Sequence, residues 1–526
     1  MAIYYAKPLR GWRHKLFGIT LGIGHAVVLI NASAYAAMEV HAASAFGLVT
    51  SYATWTQTDY MCGMAVGIVL AGWLGKRFGE LRVVTIGFVI FALAALLCAT
   101  TANFYLFLVG RIVLGLHGGV TLPLSQSLFL KEHPERQKTA AIAIWSIFTL
   151  APAGLGPPIG GWFCDGPGWR WMFILDVPIA LAVAAMLGAL LYGRGFSPSH
   201  LRFDVVGAVL LITVVGCFQT LLNMGTDADW FEARSMVALA IGGVIALALF
   251  IVWELGEKHP VVEIGLFAHR NYCVGVTCLV AGFLTIQGLL TFFVVQLQST
   301  VGYPAFLAGL FYITMAVFAK PVANLFHFLC KKIDARLLAT LSFLGFATTY
   351  FWLSGFDRMA YYQLTFWPKL LEGVCLGGFF VPLTVIFLHG IPSSHQARAG
   401  ELANLLRLWA GAMGIPIQTA IWYRRNALHQ THLVEHLTPL DGKYDEALGL
   451  FVNAGYSEYA AQGKLTRLVI QQAQIFSMNE VFWVAGCIFL VLAAFIWLAG
   501  PTHLPPAPTP SEETRELAIE EMVEEP

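Results

Sequence analysis

The chain has 526 residues, 58% of them apolar and only 12% charged, with 31 Lys and Arg balancing 31 Asp and Glu. Soluble domains are about 25% charged, so an ordinary soluble protein is excluded. The zero net charge leaves no electrostatic footprint for a nucleic-acid partner. The nine cysteines are odd in number and form no CxxC, which points to free packing thiols rather than a disulfide framework or metal site.

The first element follows a basic arm, Lys7, Arg10, Arg13 and Lys15, and its apolar run starts at Leu16. With NASAYA after it, this reads either as a signal peptide or as an uncleaved first span. The repeat described below favours the uncleaved span. A bilayer-crossing helix needs about 20 mostly apolar residues. On that measure the sequence predicts an all-α polytopic membrane protein with spans near 16–37, 53–74, 83–101, 104–128, 139–162, 169–192, 205–224, 235–254, 273–295, 305–329, 338–355, 361–389, 401–422 and 480–499. That is fourteen.

Short loops of one parity hold Lys76, Arg77 and Arg82; Lys131, Arg136 and Lys138; Arg194 and Arg202; Lys258 and Arg270; and Lys331, Lys332 and Arg336. The other parity holds only Arg170, Arg234 and Arg358 in its short loops. The cationic excess marks the cytoplasmic side, so both termini are expected in the cytoplasm. Residues 423–478 form one long external segment that reads as amphipathic helix, and residues 501–526 a Pro-rich, then acidic, tail.

An internal repeat organises these spans. Arg111, Gly115 and Gly119 in span 4 recur 258 positions later as Lys369, Gly373 and Gly377 in span 12. Gly156-Pro-Pro-Ile meets Gly414-Ile-Pro-Ile at the same offset. The basic turn at 76–82 is echoed by KKIDAR at 331–336. The predicted organisation is an N-terminal six-span half (1–192), a linker with two inserted spans (193–272), a C-terminal six-span half (273–500) that includes the external segment, and the tail. Duplicated helical halves with a midplane site are the usual construction of secondary transporters.

The turn GWLGKRFGELR between spans 2 and 3 resembles the signature loop of the major facilitator superfamily, with Gly72, Leu74, Arg77 and Gly79 in register. Lys76 stands where the general pattern has an aspartate. PLSQSLFL (123–130), GPPIGGW (156–162), WRWMFILDVPIA (169–180), KIDARLL (332–338), FFVPLTVIFLHGIP (379–392) and WYRRNALHQTHL (422–433) resemble the fourteen-span, EmrB-type drug:proton antiporters over nearly the whole chain. The resemblance implies a major facilitator fold of two six-helix halves plus two inserted helices. It also implies proton-coupled export of amphipathic small molecules across a bacterial inner membrane. The partners it implies are a periplasmic membrane-fusion adaptor and an outer-membrane channel. It makes Gly156, Pro157, Gly160 and Gly161 the antiporter signature, and Asn404 and Arg407 part of a cytoplasmic gate.

Ionisable groups inside spans are costly and are functional candidates by default. Asn31, Asp59, Arg111 and Asp176 fall at one depth, on the order of 10 Å below the outer surface by helical rise. The resembled family has an acid in span 1, where this sequence has Asn31. The sequence therefore suggests that the titratable carboxylate has moved to Asp59, with Arg111 tuning it. Lys320, Lys369, Glu372 and Gln287 are cavity candidates, although Lys369 and Glu372 are also spaced to pair on one helix. His25 and His117 read as hydrogen-bonded structural groups. There is no GxxxxGK[ST] loop, no HExxH, no nucleophile–base pair and no need for a cofactor, so an ATP-driven pump and an enzyme are disfavoured. A dedicated exporter of one metabolite, such as a siderophore or fatty acid, and a non-transporting receptor or scaffold remain as alternatives.

Overall fold

The structure, a computed structural model, describes residues 9–502 except 10, 49, 135–137, 192–202, 259, 357–361, 436 and 438–441. Lys7, Arg10, Arg136, Arg194, Arg202, Arg358 and the acidic tail beyond Thr502 lie outside the described residues.

The apolar runs are long and carry few turn residues, so each closes its backbone hydrogen bonds within a helix, as a bilayer requires. The first six helices are α1 (Trp12–Ala45), α2 (Thr50–Leu74), α3 (Glu80–Thr100), α4 (Phe104–Lys131), α5 (Lys138–Asp165) and α6 (Arg170–Leu190). Next come α7 (Val205–Gly225) and α8 (Arg234–Gly256), which pack on each other. The remainder are α9 (Arg270–Gln296), α10 (Ala305–Leu329), α11 (Ala335–Leu353), α12 (Tyr362–Leu388), α13 (Ser393–Glu435), the short α14 (Gly442–Asn453) and α15 (Glu458–Phe495). Among the described residues, ten helical stretches are long and apolar enough to cross a membrane, one of them the continuous Thr54–Thr100 that joins α2 to α3.

The helix pairings repeat. In the first six, α1 packs on α5, α2 on α4 and α3 on α6; in the last, α9 packs on α13, α10 on α12 and α11 on α15. Lipid gives helices no hydrophobic drive toward one another, so small residues that admit close backbone approach carry much of the packing. A Cβ at Gly115 or Gly119 would collide with the α2 backbone at Tyr60 or Met64, and one at Gly373 or Gly377 with the α10 backbone at Met315 or Ala319. The 258-residue repeat thus has the same physical cause in both places.

Two ends of the bundle can be told apart. The turn side carries the tight turn Gly75–Gly79, where Gly79 takes φ +92°, a conformation that favours glycine. The opposite side carries the extensions of α13 and α15. One expectation is corrected there. Span 1 does not stop near residue 37: α1 runs on to Ala45, which brings Glu39 into the helix. The segment 423–478 carries the helix that its amphipathic pattern predicts: α13 continues unbroken to Glu435, α14 follows, and α15 begins at Glu458. Arg425 on one extension pairs with Glu480 on the other, and His429 approaches the same carboxylate at 3.1 Å.

Candidate functional site

Arg111 is fully buried on α4, which would be costly without partners. Each of its guanidinium nitrogens donates one hydrogen bond. Nη1 donates to Asn31 Oδ1 at 2.6 Å, Nε to the Thr56 carbonyl at 3.1 Å and Nη2 to Gln57 Oε1 at 3.2 Å. The charge also lies over the rings of Tyr35 and Tyr60, 4.4 and 4.5 Å from their centroids, as cations prefer. Asn31 then donates through Nδ2 to Asp176 Oδ2 at 2.7 Å. One side chain therefore joins a buried cation to a buried acid, and the chain Arg111–Asn31–Asp176 ties α4, α1 and α6 together.

Asp59 is not in this chain. Thr58 and Cys62 of α2 bond to Asn223 and Gln219 of α7, Gly63 and Gly67 press on α4, and Met61 reaches Gly411 of α13. At about 100° per residue, Asp59 falls between the α7 and α4 contacts, on the flank turned away from α13. It forms no ion pair with Arg111, whose nitrogens are used elsewhere.

The Gly/Pro block sits at the seam between the two sets of six helices. A Cβ at Gly156 or Gly160 would strike α1 at Ser33 or Ala34, and one at Gly161 would strike Ala305 of α10. The Pro157 carbonyl presses on Gly309 of α10. Asp165, at the end of α5, accepts from the backbone N–H groups of Ala305 and Phe306 at 3.2 and 2.8 Å. It caps the start of α10 across the seam, a contact that the sequence analysis did not single out. On the turn side, Gly72 lies by Glu401 of α13: a Cβ there would come 3.7 Å from the carboxylate. Arg77 is half-buried. Asn404 accepts from Arg407 Nε at 3.3 Å, and that guanidinium covers the Phe283 and Phe380 rings.

The four cavity candidates are dispersed. Lys369 and Glu372 are sealed in the packing and pair at 2.7 Å, with Tyr350 donating to the same carboxylate and Phe293 under the ammonium. Lys320 and Gln287 are half-buried on α10 and α9. None of the four lines the cavity of about 250 Å³ that opens between α1, α2, α9, α13 and α15. Its acid is Glu39, a residue the sequence analysis passed over. His25 and His117 bond to Thr149 and Thr121. Gln219 and Asn223 tie α7 to α2, and Gln219 also reaches the Ala412 carbonyl of α13 at 3.3 Å.

Two six-helix sets joined at glycine seams, with a buried charge cluster in each, call for comparison with known transporters. The family model of the Major Facilitator Superfamily matches residues 21–415. The chain belongs to the major facilitator superfamily. It is 35% identical to the fatty acid resistance protein FarB of Neisseria gonorrhoeae, over 94% of this chain and 97% of that one. It is 31% identical to the multidrug export protein EmrB of Escherichia coli, with the same coverage. Among solved structures, a peptide transporter POT in complex with sulfate superposes with a TM-score of 0.63 at 16% identity, covering 94% of this chain and 98% of that one. This major facilitator protein is therefore a multi-pass membrane protein of a transporter family.

Proposed function

We propose that the chain is a proton-coupled exporter of amphipathic small molecules. The observation that carries this reading is the buried Arg111–Asn31–Asp176 chain beside a seam of interlocking glycines. A buried acid in an apolar bundle needs a role, and a proton that binds and leaves as the halves rock is the economical one. Asp176 is the favoured carrier, because it reaches Arg111 through one hydrogen-bonded side chain. Asp59 is the second candidate, supported by its place inside a span.

The relatives named for multidrug export and fatty acid resistance support amphipathic substrates. In this reading all fourteen long helices cross a bacterial inner membrane, in two six-helix halves with α7 and α8 between them. The turn side faces the cytoplasm, with both termini. The extensions of α13 and α15 offer a surface to a periplasmic membrane-fusion adaptor, itself linked to an outer-membrane channel. A dedicated exporter of one fatty-acid-like metabolite is the second reading, favoured by the FarB similarity.

The test is uptake of a panel of lipophilic dyes and fatty acids into energised everted vesicles. Accumulation that a protonophore abolishes supports the proposal. Accumulation that persists without a proton gradient contradicts it.

A further inference from the structure

Glu39 is fully buried, and among the described residues neither carboxylate oxygen has a hydrogen-bond partner. A buried acid without donors is expensive, and native structures rarely tolerate one without a reason. The buried Arg111 gives it no hydrogen bond, directing its donors to Asn31, Thr56 and Gln57. Glu39 lines the cavity of about 250 Å³ together with the aromatic side chains Phe292, Trp422 and Tyr423 and the hydroxyls of Thr291 and Thr419. It stands six residues from the end of α1 at Ala45, or about 9 Å. The cavity thus lies on the extension side of the Arg111 chain.

We propose that this cavity binds the cationic head of an amphipathic amine, with Glu39 as the counter-charge and the aromatic rings as the cage. The chemistry follows from the lining. A carboxylate lacking donors attracts a positive charge, and aromatic faces attract one independently. The polar side chains around it accept or donate hydrogen bonds to a substituted ammonium. The volume falls below the roughly 300–1,000 Å³ of pockets that enclose a drug-sized ligand, so the site holds a head group while the tail lies along the seam. The two halves both contribute, Glu39 from α1 and the rings from α9 and α13, so rocking them apart dismantles the site. This deepens the export reading by naming a substrate class, and it rests on that reading only for what happens after binding.

Binding to the purified full-length chain in detergent is the test, with tetraphenylphosphonium and benzyltrimethylammonium as cationic probes and dodecanoate as the anionic control. Quenching of Trp422 is monitored against a Trp422→Phe reference. Loss of one charge-assisted contact predicts about tenfold weaker cation binding in Glu39→Gln, with Glu39→Asp near wild type. Thr419→Leu, which keeps the acid but fills the cavity, weakens binding as well. Equal cation affinity in wild type and Glu39→Gln overturns the proposal. So does dodecanoate binding that tightens in Glu39→Gln, because Glu39 would then be a barrier to anions. Intact cation binding with no uptake in vesicles would count against the export reading and leave the site standing. Uptake of cations that is insensitive to Glu39→Gln would overturn the site and leave export standing.

Discussion

Asn31→Leu removes both links of the buried chain at once. Leucine fills a similar volume but has no polar atoms. Arg111 loses its 2.6 Å acceptor and keeps Thr56 and Gln57; Asp176 loses its 2.7 Å donor. Both bonds involve a charged group, and such bonds are worth about 1.5–3 kcal/mol each. The single variant should therefore lose roughly 3–6 kcal/mol, much of the about 5–15 kcal/mol that typically separates folded from unfolded. It should fold, but melt early. The sharper form is a double-mutant cycle with Asp176→Asn. If Asn31 acts through Asp176, the pair is coupled by about 1.5–3 kcal/mol. The assay is reversible unfolding in mixed detergent, read by intrinsic fluorescence. Additive effects would refute the bridge.

Three further outcomes follow from the geometry. Gly161→Leu forces a side chain into Ala305 of α10, so uptake should fall at least about tenfold while the protein still purifies as a monodisperse species; near-normal uptake would contradict the seam. Asp165→Ala frees the backbone donors at the start of α10, and the neighbouring half-buried Cys164 should then react several times faster with a membrane-impermeant maleimide; an unchanged rate would mean the cap does not hold the seam. On the turn side, the Asp334 carboxyl is penalised by burial, but hydrogen bonds from Arg336 and Thr502 outweigh this and hold it below its ordinary value. A depressed folded value adds stability above the unfolded value of about 3.9, and that stability is lost as pH falls below it. Asp334→Asn should therefore destabilise at pH 7 and less so at pH 3, as thermal melts at the two values would show.

Much of the site was legible because burying a charge is expensive. Counting depth along each apolar run placed Asn31, Arg111 and Asp176 together, and the structure joins them by hydrogen bonds of 2.6 and 2.7 Å. Asp59 shares that depth, but depth does not fix direction: whether α2 turns it toward α13 or toward α4 and α7 depends on neighbours that no local pattern encodes. Glu39 was missed for a different reason. Twenty-two residues suffice to cross a bilayer, so the reading closed span 1 near residue 37, whereas the chain stays helical to Ala45. The signal was available, since a lone acid follows AYAAM without a turn residue. Asp165 follows GGWFC at the end of α5, and only the arrival of α10 shows what it caps. The repeat was fully legible, because glycines at one offset meet backbone at the equivalent place in both halves.

Proton movement tests the account most directly. Everted vesicles holding the wild-type chain would be energised and given a lipophilic substrate while an internal pH dye is followed, alongside Asp176→Asn and Asp59→Asn. The account predicts that substrate collapses the gradient in wild type and in Asp59→Asn, and not in Asp176→Asn. Collapse that survives Asp176→Asn and disappears in Asp59→Asn would move the proton to α2 and contradict the role given to the Arg111–Asn31–Asp176 chain.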